Sequence, residues 1–245
     1  MLGTPKPSLV TPGWIKVCGI RDIATAHAAT SVGASAIGLN FFATSPRSVT
    51  PAEAAQIVDS LREPPRLRVS AFPPQLVGLF VNHTRDEIES ITEQAGLTAI
   101  QLHGDETPPF VAELQTRHPD WDILKAFRIG DSLQPVAEFI AECRQLGVSL
   151  AGCLLDARVD GAFGGTGTIA PWELIARDYD RTHWPPLILA GGLTPDNVAA
   201  AIRAVRPDGV DTASGVESSP GVKDTKLIAC FVAEAQQAFG KFIGA

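Results

Sequence analysis

The chain lacks paired cysteines. Cys18, Cys143, Cys153 and Cys230 are its four, and none falls in a Cys-x-x-Cys pair or at a spacing that suits a metal, so no metal site is expected. Free thiols point to a reducing compartment, the cytoplasm. An excess of positive charge is also missing: the net charge is −7 and the pI about 5.2, which disfavours nucleic acid or an anionic membrane surface as a partner. No apolar run approaches the roughly 18–20 residues of a membrane helix. Residues 1–13, Met1 to Gly13, are proline-rich without the apolar stretch of a secretory signal and read as a short flexible tail. An acidic chain with an anionic substrate would have to meet the substrate's charge locally, without help from a global positive field.

What is present is a regular alternation. With 45% hydrophobic residues, the 245-residue chain has enough apolar material for a sizeable core. Short apolar runs occur at Ile15–Ile20, Ala36–Phe41, Leu76–Val81, Thr98–His103, Ile123–Ile129, Gly152–Asp156, Leu187–Ala190 and Gly209–Thr212, each followed by a helical pattern. Helix-start signals punctuate them. Thr50-Pro51-Ala52-Glu53 and Thr84-Arg85-Asp86-Glu87 read as capping boxes, and Thr194-Pro195 reads as a cap before Asn197–Val205. Strands alternating with helices imply a parallel sheet, because each parallel crossover needs a helix-length connection. Eight in about 240 residues predict an α/β fold closed as a single (β/α)8 TIM barrel over residues 14–245, with a doubly wound open sheet as the rival. Arg62–Gln75 and Arg177–Pro186 read as loop elaborations on that barrel.

In such a barrel the active site lies at the C-terminal ends of the strands. Strand 1 ends in Cys18-Gly19; strand 2 leads through Asn40 to Ser45-Pro46-Arg47; strand 4 ends in Gln101-Leu102-His103-Gly104-Asp105. Strand 6 ends in Asp156, before the loop Gly164-Gly165-Thr166-Gly167. Strands 7 and 8 run into Gly191-Gly192 and into Asp211, Ser214 and Gly215. Strand alternation puts Lys16 and Cys18 on one face, as it does Gln101 and His103. A thiol beside an ammonium is expected to have a lowered pKa. Cys18 has a plainer reading as a small buried hydrophobe, and Asp156 as a helix cap. A carboxylate closing an apolar strand, however, is expensive to bury unless paired or used. Arg47 is either a surface arginine or a bidentate anion clamp over the mouth, and His103 either a loop anchor or a site residue. Asp105, Glu106 and Glu173 read as solvated or capping. The glycines after strands 7 and 8 suggest a phosphate site, because backbone N–H groups there can bind an anion without lysine or arginine. Pro220-Gly221 is expected to open the last helix.

Taken together and in order, Lys16-Val17-Cys18-Gly19-Ile20, Ser45-Pro46-Arg47, Gln101-Leu102-His103-Gly104-Asp105-Glu106, Leu154-Leu155-Asp156-Ala157, Gly164-Gly165-Thr166-Gly167, Leu189-Ala190-Gly191-Gly192-Leu193 and Ser214-Gly215-Val216-Glu217 resemble the phosphoribosylanthranilate isomerase family of tryptophan biosynthesis. The resemblance runs from Lys16 to the C-terminal helix. It implies an Amadori rearrangement of N-(5-phosphoribosyl)anthranilate to the 1-deoxyribulose phosphate, with Asp156 as general acid and Cys18 as general base. It further implies Arg47, His103 and Asp211 at the substrate, Gly191, Gly192, Ser214 and Gly215 at its phosphate, and no cofactor. The partner expected is a small phosphorylated substrate, with the chain as monomer or homodimer. Thr212-Ala213 departs from the family pattern, which more often reads Ser-Ser there, so one hydroxyl contact is lost.

Other readings keep part of this pattern. A histidine-biosynthesis isomerase on the same barrel would place an acidic residue at Cys18, and indole-glycerol-phosphate synthase would need a lysine/glutamate set that these strand ends do not show. A non-catalytic phosphometabolite-binding barrel would keep the glycine loops without needing both Cys18 and Asp156.

Overall fold

Short aliphatic and β-branched runs, apolar on both faces, pair side by side as parallel strands. They are β1 (Trp14–Cys18), β2 (Ala36–Asn40), β3 (Gln75–Phe80), β4 (Ala99–Leu102), β5 (Asp122–Ile129), β6 (Gly152–Ala157), β7 (Leu187–Leu189) and β8 (Gly209–Thr212). The sheet closes when β1 pairs with β8, Lys16 lying beside Asp211, so the expected barrel forms and the open sheet does not. This computed structural model describes residues 8–62, 73–157 and 171–243. Gly164-Gly165-Thr166-Gly167 and most of Arg62–Gln75 lie outside the described residues.

Helices α1 (Ile23–Ser31), α2 (Pro51–Arg62), α3 (Arg85–Ala95), α4 (Pro108–Arg117), α5 (Gln134–Gln145), α6 (Trp172–Asp178), α7 (Val198–Val205) and α8 (Thr225–Ile243) surround the barrel. Among the described residues none is long and apolar enough to cross a membrane. The capping boxes at Thr50/Glu53 and Thr84/Glu87 both form, each hydroxyl accepting from the N3 backbone N–H while the glutamate accepts from the cap. The start of α7 differs from the expected cap. Asn197 Oδ1 accepts from the Thr194 N–H and Nδ2 donates to the Gly192 carbonyl, so regular α-helix begins only at Val198. The asparagine is occupied with shaping the loop after β7, which displaces the helix start.

Side chains alternate as the pleat requires. Outward residues such as Val17, Ile37, Ile100 and Leu155 pack under the helices, whereas Trp14, Ala36, Val77, Ala99, Leu124 and Leu154 fill the lower interior. Leu9 and Val10, inside the segment read as a loose tail, are buried in that lower cluster. Their packing extends the barrel's body upstream of Trp14. Gln75 Nε2 donates to the Leu9 carbonyl at 2.7 Å and its Oε1 accepts from the Trp14 indole, which fastens this plug.

The hairpin after β8 was not anticipated. Pro220-Gly221 does not open a helix: it turns a small antiparallel hairpin, β9 (Glu217–Ser219) with β10 (Val222–Lys223), and α8 starts four residues later. Arg177–Pro186 finishes α6 and then folds at the base of the barrel, where the Tyr179 hydroxyl donates to the Pro185 carbonyl and Tyr179 packs edge-on against Trp184. Because it feeds the N-terminal end of β7, this elaboration lies opposite the mouth.

Candidate active site

Residues at the C-terminal ends of β1, β2, β3, β6 and β8, with His103 and Ala190 just beyond β4 and β7, open onto one cavity of about 390 Å³ at the C-terminal face. Every residue singled out for chemistry lines it: Cys18, Arg47, His103, Asp156, Gly191, Gly192, Asp211, Ser214 and Gly215. Asn40 and Phe42 join them from β2 and its loop. Asn40 shapes that loop, its Oδ1 accepting from the Phe42 N–H and its Nδ2 donating to Ser45 Oγ.

Cys18 and Asp156 reach the cavity from β1 and β6, and both are buried. Below them Lys16, with no exposed surface, donates to Asp211 Oδ1 at 2.9 Å. Burial disfavours the Lys16 ammonium, but the negative charges of Asp211 and Cys18 outweigh it and hold its pKa above the ordinary lysine range. The thiol corrects the expectation drawn from Lys16. Burial pushes Cys18 up, Lys16 and Lys223 pull it down while Asp211 adds to the rise, and the balance leaves it above the ordinary thiol range. In this dry site, desolvation outweighs the neighbouring ammonium.

His103 Nε2 stands 3.6 Å from Asp156 Oδ2, too long for a direct hydrogen bond, and Gln101 Nε2 meets His103 Nδ1 at 3.0 Å. Glu106 corrects the reading of it as solvated. It is buried, takes the Asn82 and Gly104 backbone N–H groups, and pairs with Lys125 Nζ at 2.9 Å. That pair ties the exit of β4, which carries His103, to β5. Burial lowers the Lys125 pKa although Glu106 pulls it back.

Across the mouth, Gly191 and Gly192 adopt φ of 84° and 62°, left-handed backbone that glycine adopts without strain. The two glycine loops are pinned together, since Thr212 Oγ1 donates to the Leu193 carbonyl at 2.8 Å and a Cβ on Gly215 would collide with that same carbonyl. Thr212 thus uses its hydroxyl within the loops. Arg47 lies with its stem across Gly19, where a Cβ would come within 2.7 Å of Cδ. Its guanidinium pairs bidentately with Glu217, Nε to Oε1 and Nη2 to Oε2 both at 2.8 Å. Neither Glu217 nor Lys223, which donates to it at 2.7 Å, was given a role from the sequence. They sit on the unforeseen hairpin, and no periodicity marks them.

A closed parallel barrel whose mouth gathers a thiol, a carboxyl, a fixed arginine and two glycine loops defines a (β/α)8-barrel enzyme. A family model described as N-(5'-phosphoribosyl)anthranilate (PRA) isomerase matches residues 15–234. Two proteins named N-(5'-phosphoribosyl)anthranilate isomerase are similar along nearly their whole length. That of Trichlorobacter lovleyi is 40% identical over 91% of this chain and 98% of its own, and that of Magnetococcus marinus 43% identical over 91% and 95%. The crystal structure of the Thermotoga maritima phosphoribosyl anthranilate isomerase superposes with a TM-score of 0.75 at 30% identity, covering 91% of this chain and 98% of that one. The chain belongs to the phosphoribosylanthranilate isomerase family, the isomerases of tryptophan biosynthesis.

Proposed function

We propose that the cavity converts N-(5-phosphoribosyl)anthranilate to 1-(2-carboxyphenylamino)-1-deoxyribulose 5-phosphate by acid–base catalysis, with Asp156 as the acid and Cys18 as the base. The observation that carries this reading is that a thiol from β1 and a carboxyl from β6 open onto the same cavity, between Arg47 and the two glycine loops. Asp156 gives its proton to the furanose ring oxygen. The C1–O bond breaks, and the anilino nitrogen lone pair forms the C1=N iminium. The Cys18 thiolate then takes the proton from C2, and the C–H electrons make C1=C2 as the iminium pair returns to nitrogen. The resulting enolamine gains a proton at C1 and loses the one on the C2 hydroxyl, giving the ketone.

The phosphate is assigned to the backbone N–H groups around Gly191, Gly192, Ser214 and Gly215, which meet an anion with neutral donors in an acidic protein. Arg47 is assigned the anthranilate carboxylate, and His103 and Asp211 the sugar. Four free thiols suit a reducing cytoplasm. The test is turnover of substrate formed in place from anthranilate and phosphoribosyl pyrophosphate, followed through the anthranilate fluorescence. The wild type should deplete it, and Asp156→Asn should be slower by roughly 10²–10⁴. Near-normal turnover in a folded Asp156→Asn would remove this carboxyl from the mechanism.

A further inference from the structure

The arginine that is to receive the substrate's carboxylate already holds one. Glu217 occupies the Nε/Nη2 edge of the Arg47 guanidinium, both contacts at 2.8 Å. A guanidinium has a second edge, formed by Nη1 and the outer N–H of Nη2, which can take another carboxylate in the same plane. Nη1 has no hydrogen-bond partner among the described residues, and Arg47 lines the cavity.

Glu217 is itself held from two other directions. Lys223 Nζ donates to its Oε1 at 2.7 Å and the Gly221 N–H to its Oε2 at 3.3 Å, while Lys223 also donates to the Ala213 carbonyl at 2.7 Å. The chain of contacts therefore runs from the end of β8 to the loop after β2. The side chains of Arg47, Glu217 and Lys223 are only 12%, 4% and 2% exposed. Burial pushes the Glu217 carboxyl up, but the hydrogen bonds from Arg47 and Lys223 prevail and hold it below the ordinary range, so it stays charged. Two cations against one carboxylate leave the buried cluster short of a negative charge.

We infer that Glu217 sets the enzyme's selectivity for a carboxylated aromatic amine, by locking one edge of Arg47 so that the other edge is presented to the substrate's carboxylate. The inference rests on the assignment of that carboxylate to Arg47. Glu217 is thus a positioning residue. It removes the rotational freedom of a long side chain before the ligand arrives, so that freedom need not be lost on binding. A ligand without the carboxylate gains nothing from the waiting edge.

Binding calorimetry tests this with two compounds that do not turn over: reduced 1-(o-carboxyphenylamino)-1-deoxyribulose 5-phosphate and the same molecule without its carboxylate. The wild type should prefer the carboxylated ligand by at least about tenfold, as a charge-assisted pair would give. Glu217→Gln should bind that ligand about tenfold more weakly and the other within about twofold, erasing the preference. Glu217→Asp keeps the charge needed for folding but is too short to hold the whole edge, and should lose preference in the same direction. Equal weakening of both ligands would mean a merely structural role and would overturn the inference. Tighter binding of the carboxylated ligand would mean that Glu217 competes for Arg47, and would overturn it too. A preference that survives in both variants refutes the role of Glu217 alone, whereas a wild type without any preference refutes the placement of the carboxylate on Arg47.

Discussion

Gly38 on β2 is the wall against which Cys18 rests: a Cβ there would stand 2.7 Å from Sγ, 3.0 Å from the Cys18 Cα and 3.1 Å from Lys16 Cε. Nothing flexible separates them, so Gly38→Ala must displace the thiol or the strand. The barrel should lose about 1–3 kcal/mol, the usual penalty of overpacking. If Cys18 is the base as proposed, kcat should fall at least about tenfold, because the displaced thiol would no longer meet the substrate C2 in line. Steady-state kinetics beside a denaturant melt would show it, and an unchanged kcat in the folded variant would mean that Sγ tolerates the shift.

The thiol's pKa fixes the sign of the pH response. Burial raises Cys18 above the ordinary range, so the thiolate fraction at neutrality is small and grows as pH rises. Alkylation of Cys18, whose rate follows the thiolate alone and can be read by mass spectrometry of its peptide, is expected to quicken with pH and not to level below about 8.5, the free-thiol value. Turnover of Cys18→Ser should be very low throughout, because a hydroxyl is far harder to ionise. A plateau already reached at neutral pH in the wild type would show that the base is ionised there and that the lysines prevail.

The glycine loops predict an anion effect. Inorganic phosphate should compete with substrate. Gly215→Ala, whose methyl would collide with the Leu193 carbonyl, should open the two loops and raise both KM and the phosphate inhibition constant, by about tenfold for one lost hydrogen-bonded contact. Initial rates across a phosphate series would decide, and phosphate that fails to compete at high concentration places the substrate's anion elsewhere.

Lys125 and Glu106 bear on stability. Lys125→Met leaves Glu106 charged and buried with only backbone donors, and should destabilise the fold by roughly 3–5 kcal/mol. Lys125→Met/Glu106→Gln removes the stranded charge and should recover part of the loss. Urea midpoints at neutral pH compare the two, and a single variant as stable as the wild type would show that the backbone N–H groups alone suffice.

The strands were legible because a parallel barrel strand is buried on both faces and so reads as an unbroken apolar run, bounded here by caps such as Thr84 with Glu87. Cys18 and Asp156 were legible because they end such runs. The partners that fix the site were not. Glu106 looks like any loop carboxylate until β5 brings Lys125 beside it from 19 residues away, and Glu217 meets Arg47 across 170 residues of chain. The sign of the Cys18 shift failed for a related reason: the neighbour, Lys16, is visible in the sequence, while the dryness around both is not.

Leu9 and Val10 stopper the barrel at the end away from the mouth, Val10 sitting close against Gly152 at the start of β6. With Trp14, Ala36, Val77, Ala99, Leu124 and Leu154 packed above them, the cavity at the mouth has a closed floor. Under the proposed function substrate and product share the mouth above, so each product molecule would bar the way to the next substrate until it had gone.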